Sequence, residues 1–78
     1  MQLDIITPDR TIFSGEVNLV QLPGKDGSFE ILNMHAPLIA VLKSGQIKIQ
    51  DLEKKTQLFD IKGGVVEVQK NKVLVLSE

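Results

Sequence analysis

The chain has little with which to do covalent chemistry. It holds one histidine, four serines and no cysteine in 78 residues. Ser14, Ser28, Ser44 and Ser77 fall in turn-like segments or at the chain end, and none has a His–Asp pair near it in sequence. A nucleophile without a base beside it is not activated, so hydrolase chemistry of the serine type is excluded. His35 admits two readings: a partner contact at a corner of the chain, or a ring that packs beside Pro37 and hydrogen-bonds backbone. A lone His without companion ligands makes no metal site. Asp26 and Glu30 could be a carboxylate pair, but they lie in a turn-rich stretch and read as solvated loop charges. Gly24, Lys25 and Gly27 after a strand faintly suggest a phosphate loop. That motif needs Gly-Lys-Ser/Thr leading into a helix, whereas Asp26 follows Lys25 here. Gly63-Gly64 suits a bulge or a close approach of two strands better than a ligand site. The residues therefore predict no catalytic, cofactor-binding or metal-binding position and no small-molecule ligand.

Composition narrows the alternatives further. The formal net charge is −1, with acidic and basic residues spread along the chain. A nucleic-acid footprint needs clustered basic residues and is not indicated. No apolar run approaches the ~20 residues of a membrane-crossing helix. Met1-Gln2-Leu3-Asp4 has no basic flank and no signal-peptide core, so membrane association would come through a partner. The length suits one domain spanning residues 1–78, and a fold of this size buries only about 60% of its unfolded surface, so stability should be modest.

Loops without reactive groups must still be positioned, and the elements that could do so read as strands. Leu3–Thr7 is a β-rich run closed by Pro8-Asp9, and Thr11–Phe13 is a second run stopped by Ser14-Gly15. Val17–Leu22 does not alternate cleanly, because Leu19 and Val20 are adjacent. Either both of its faces are buried or a bulge shifts the phase, and a bulge is the favoured reading. Pro23-Gly24 predicts a type II turn, Phe29–Leu32 a short strand, and His35-Ala36-Pro37 a second corner with Ala36 held extended by Pro37. Leu38–Leu42 is apolar throughout and reads as a buried strand. Gln46–Gln50 and Leu58–Ile61 alternate around a charged hairpin loop, Asp51–Lys55, and Val65–Gln69 follows Gly63-Gly64. Lys70-Asn71 supplies a tight turn, with Asn71 tolerant of positive φ, before Val73–Leu76, which is apolar on both faces. The alternation places Ile47, Ile49, Phe59, Ile61, Val66 and Val68 in the core. Turn signals every 8–12 residues and the lack of any helical period indicate an all-β sandwich or barrel.

Several segments, in order, resemble one known family. They are Phe13-Ser14-Gly15-x-Val17, Pro23-Gly24-x-x-Gly27, Ile31-Leu32-x-x-His35-Ala36-Pro37-Leu38, Leu42-Lys43-x-Gly45-x-Ile47, Gly63-Gly64-x-x-Glu67-Val68 and Val73-x-Val75-Leu76. Their order and spacing resemble the N-terminal domain of the epsilon subunit of F-type ATP synthase, over about Leu3 to Leu76. The resemblance implies a flattened β-sandwich of two mainly antiparallel sheets, about ten short strands in all. It implies a non-catalytic central-stalk subunit that binds the gamma subunit and the c ring and helps couple rotation to ATP synthesis. It further implies a peripheral location on the cytoplasmic face of the bacterial inner membrane, as part of the ATP synthase complex. On this resemblance Lys25, Asp26, Gly27, Ser28 and Phe29 face the c ring, and His35, Ala36 and Pro37 lie nearer gamma. The chain departs from the family pattern at Glu30, where Gly is common, at Asn33-Met34, where Pro-Gly often precedes the His, and at Ser28, where an acidic residue often stands. Members of the family usually add a C-terminal helical hairpin that inhibits ATP hydrolysis. Only Ser77 and Glu78 follow the last apolar strand here, so hairpin-type inhibition is not expected, and with no phosphate-binding loop neither is ATP binding. The alternative reading, from another class, is a lipoyl- or biotinyl-type carrier domain with Lys54 or Lys55 as the modified hairpin lysine.

Overall fold

A computed structural model describes residues 1–78 and contains eight strands and no helix. They are β1 (Gln2–Ile6), β2 (Thr11–Gly24), β3 (Gly27–Leu32), β4 (Leu38–Leu42), β5 (Gly45–Asp51), β6 (Thr56–Ile61), β7 (Gly64–Gln69) and β8 (Lys72–Ser77). Ladder pairing joins all eight in the order β1-β8-β7-β4-β2-β5-β6, with β3 beside β2 and β1 also paired to β2. Every pairing is antiparallel except β1–β8. The long β2 makes this possible. Its first part pairs β1, from Gln2↔Glu16 to Ile6↔Thr11, and its second part lies between β3 and β5. The sheet thus folds over on itself into two layers, β4-β7-β8-β1 and β3-β2-β5-β6, as expected of a β-sandwich.

The runs Thr11–Phe13 and Val17–Leu22 are therefore one strand, not two. Ser14 and Gly15 are turn-formers by propensity, but β1 pairs them with Asp4 and Leu3, and the ladder overrides that preference. A bulge is present in this strand, but it precedes Leu19 and does not separate Leu19 from Val20. Register against β5 shifts between Val17 and Leu19, and the Asn18 side-chain amide donates to the Asp51 carbonyl at 3.2 Å. With one extra residue in the strand, Val17 and Val20 can both point inward, and both are fully buried.

Pro23-Gly24 is not the turn. Both residues remain in β2, buried, paired with Ser28 and Gly27, and the chain reverses two residues later at Lys25-Asp26. A Cβ on Gly24 would lie 2.5 Å from the Gly27 carbonyl oxygen and 2.7 Å from the Phe29 ring, so glycine serves close approach there. The positive φ needed to leave the reversal falls on Gly27, at 137°. Lys70-Asn71 is the expected tight turn, with φ of 51° and 59°, the signature of type I′.

The core is one cluster of 15 buried apolar residues that includes Leu3, Ile5, Leu22, Ile31, Val73 and Val75. Ile47, Ile49, Ile61, Val66 and Val68 are buried, as their alternation predicts. Phe59 also turns toward the core but is only half-buried, with its ring 5.6 Å from that of Phe13. Leu38–Leu42 departs from its reading as a buried strand. Leu42 is buried, but Ile39 and Val41 on the other face are 71% and 57% exposed, because no layer covers that side of β4.

Candidate partner-binding surfaces

The residues singled out from sequence fall at the two ends of β3. Lys25, Asp26, Gly27 and Ser28 form the exposed tip of the β2–β3 hairpin. Phe29 does not join them. It is half-buried, on the inward phase with Ile31, and its ring lies over Gly24. An aromatic side chain two residues past the turn follows the strand's alternation and not the turn's exposure. His35, Ala36 and Pro37 are exposed beyond the other end of the strand. At ~3.3 Å per residue the six residues of β3 hold the two groups roughly 17 Å or more apart.

The corner is fixed by polar contacts from three directions. Met34 has φ of 64°, and its amide donates to the Asn71 side-chain oxygen at 2.8 Å. The His35 amide donates to the Leu32 carbonyl at 3.2 Å. The Met1 amino group donates to the Asn33 side-chain oxygen at 2.6 Å. The His35 ring is exposed, with Nδ1 2.6 Å from the Ala36 carbonyl oxygen. Side chains at the corner are thereby displayed on a fixed backbone. Nothing converges there for catalysis, and no three His, Asp or Glu side chains are grouped as metal ligands would be.

The hairpin with Lys54 and Lys55 is organised locally. The Asp51 carboxylate accepts from the Glu53 and Lys55 amides, each at 2.9 Å, and Lys54 takes φ of 64°. Lys55 pairs weakly with Glu53 at 3.6 Å on a fully solvated loop.

A third surface was foreshadowed in the sequence only by the two-faced apolar strand Val73–Leu76. It is the outer face of the β4-β7-β8-β1 layer. Register aligns Val41, Val65, Leu76 and Ile6 in one row across the four strands, and Ile39, Glu67, Leu74 and Asp4 in the next. Ile39, Val41, Val65 and Leu76 are 71%, 57%, 40% and 51% exposed. Apolar side chains gathered in this way mark an interaction site, whereas scattered ones do not. Leu38–Leu42, which reads as buried, is likewise apolar on both faces, and a layer has only one inner face. The band is continuous with the corner through a shallow depression lined by Pro37, Ile39 and Glu67. Toward the hairpin tip it meets a groove of about 390 Å³ between the turn and β4, lined by Phe29, Leu38 and Ala40 among others.

These features match known proteins over their whole extent. The sequence profile of the ATP synthase delta/epsilon chain β-sandwich domain matches residues 1–78. The chain belongs to the ATP synthase delta/epsilon-chain family. It is 48% identical over 77 residues to the ATP synthase epsilon chain of Chlorobium limicola, covering 99% of this chain and 88% of that protein. It is 37% identical over 78 residues to the epsilon chain of Caulobacter vibrioides, covering all of this chain and 90% of that one. Among solved structures, a chain of the Euglena gracilis mitochondrial ATP synthase (OSCP/F1/c-ring) superposes with a TM-score of 0.90 at 21% identity, over 96% of this chain and 48% of that one. A chain of the Tetrahymena thermophila mitochondrial ATP synthase central stalk and c ring gives 0.83 at 20% identity, over 99% and 62%. This chain thus spans about half to two-thirds of those two chains, and the likeness to them establishes the fold. Epsilon-chain membership rests on the bacterial sequences. It decides against the carrier-domain alternative for Lys54 and Lys55. As an ATP synthase subunit the chain is membrane-associated, and no helix in it is long and apolar enough to cross a bilayer.

Proposed function

We propose that this chain is a non-catalytic coupling subunit of the central stalk, clamped to gamma on one side and resting on the c ring at one end. The observation that carries this reading is the exposed apolar band of Ile39, Val41, Val65 and Leu76, which runs into the rigid His35–Pro37 corner. Apolar area of this kind gives affinity, and a fixed backbone costs little entropy on binding, which suits a contact that must carry torque. Gamma is assigned to the band and the corner. The polar tip, Lys25–Ser28, stands at the far end of β3 and is assigned to the c ring, with Phe29 holding the turn from beneath. Solved ATP synthase structures that contain the c ring, one of them with the central stalk, hold chains of this fold, which supports a place for this chain in that part of the complex. The subunit would lie on the cytoplasmic face of the bacterial inner membrane, attached only through the complex.

The test is functional. ATP synthase from the source organism, stripped of this chain and returned to vesicles, should regain proton-driven ATP synthesis when the chain is added back. Full synthesis without the chain, or no gain on adding it, would refute the proposal.

A further inference from the structure

Glu67 is placed oddly for a surface carboxylate. It projects from the border row of the apolar band, with Ile39 and Leu74 directly opposite it on the two neighbouring strands and Val65 two residues along its own. It is half-buried and makes no ion pair or hydrogen bond. The chain has only two ion pairs, Met1 amine–Glu16 and Lys55–Glu53, and neither lies in the band. Lys72 stands one row away, across from Gln69 and Gln2. Asp4, in the same row as Glu67 on β1, accepts from the Ser14 hydroxyl at 2.6 Å and so already has a partner.

A protein that covers Ile39, Val41, Val65 and Leu76 also reaches Glu67, which lies directly opposite Ile39 and two residues from Val65 on the same strand. Burying a carboxylate without a partner is strongly unfavourable and would offset much of what the apolar contacts contribute. A docked surface with a cation at that point converts the penalty into a charge-assisted hydrogen bond, and it fixes the register of docking as well. We infer that Glu67 is the polar key of this face, and that the partner seats an arginine or lysine side chain on it, within an otherwise apolar contact. The inference rests on gamma docking at this face.

Binding of the chain and its variants to F1 particles stripped of it, measured at low and high salt, tests both levels. Val41→Asp puts a charge in the apolar band and should abolish binding; unchanged binding would overturn the docking face itself. Glu67→Leu separates the two ideas by sign. If a cation sits on Glu67, this substitution strands it and binding weakens by about 30-fold or more, with a smaller salt dependence than wild type. Glu67→Lys should weaken it further. If the partner is apolar at that point, Glu67→Leu binds as well as wild type or tighter. That result, with Val41→Asp still disruptive, would overturn the inference and leave the docking face standing.

Discussion

Gly64→Ala should be among the most damaging single-methyl changes in the chain, and the geometry gives its size. Gly64 opens β7 with φ of 154° and pairs with Leu42 on one side and Ser77 on the other. An added Cβ would lie 2.2 Å from the Leu76 carbonyl oxygen and 3.0 Å from the Ser77 Cα. Both are backbone atoms, so no side chain can swing away, and β7 and β8 must separate. Holding an L-residue at this φ costs about 1–3 kcal/mol. Forcing the strands apart adds about 1–3 kcal/mol, as overpacking does elsewhere. The expected loss is therefore about 2–6 kcal/mol, against a total of about 4–12 kcal/mol for a domain of this length. Two other glycines separate the contributions. Gly27 has φ of 137° with no atom within 4 Å of an added Cβ, so its alanine variant carries strain alone, about 1–3 kcal/mol. Gly24 lacks the positive φ and carries crowding alone, from the Gly27 carbonyl oxygen at 2.5 Å and the Phe29 ring. Urea unfolding of the three variants, with the slope m checked for constancy, reads this order directly. A Gly64→Ala loss below about 1 kcal/mol, or one no larger than that of Gly27→Ala, would refute the reasoning about the close approach of β7 and β8.

Four further outcomes are expected. Phe59→Ala should cost about 1.5–3 kcal/mol, less than the 3–5 kcal/mol of a fully buried phenylalanine, because the ring is half-buried against Phe13; denaturant unfolding measures it. Asp51→Ala removes the acceptor of two backbone amides in the β5–β6 loop and should cost about 1 kcal/mol, a fall in Tm of about 4–8 °C in a thermal scan. Asn71→Gly keeps the positive-φ turn but loses the hydrogen bond to the Met34 amide, so amide exchange should quicken at Met34 and His35 while the β7–β8 ladder stays protected. Isothermal calorimetry of the isolated chain with millimolar ATP should give no binding heat.

The sequence was most legible where physical signals agreed. Lys70-Asn71 combined a turn preference with apolar runs on both sides, and it closed as predicted. A break in the alternation of Val17–Leu22 required a shift in phase, and the bulge at Asn18 supplies it one residue before the adjacent Leu19 and Val20, letting Val17 and Val20 both point inward. Propensity misled where a ladder outweighed it. Ser14-Gly15 looks like a stop until β1 pairs alongside, and Pro23-Gly24 looks like a turn until Phe29 and the Gly27 carbonyl require a glycine in the strand. The two end groups, Lys25–Ser28 and His35–Pro37, were readable as exposed corners. Their separation was readable too, since Phe29–Leu32 reads as a strand between them, and only its two extra residues, Gly27 and Ser28, came from the structure. Of the apolar band only Val73–Leu76 was legible, as a strand apolar on both faces; Leu38–Leu42 by itself cannot show which of its faces lacks a covering layer. Glu67 stood out in sequence only as one position of the Gly63-Gly64-x-x-Glu67-Val68 segment, with nothing to mark its surroundings. Its neighbours, Ile39 and Leu74, come from distant strands, and only the register brings them beside it.

The central claim is that the two ends of β3 meet different partners, and site-directed cross-linking tests it most directly. The chain has no cysteine, so one introduced at Ser28 or at His35 is the only thiol it offers. In assembled ATP synthase, Ser28→Cys should give adducts with the c subunit and His35→Cys with gamma, using the same short photoactivatable reagent. Gamma adducts alone from both positions, or c-subunit adducts from His35→Cys, would contradict it.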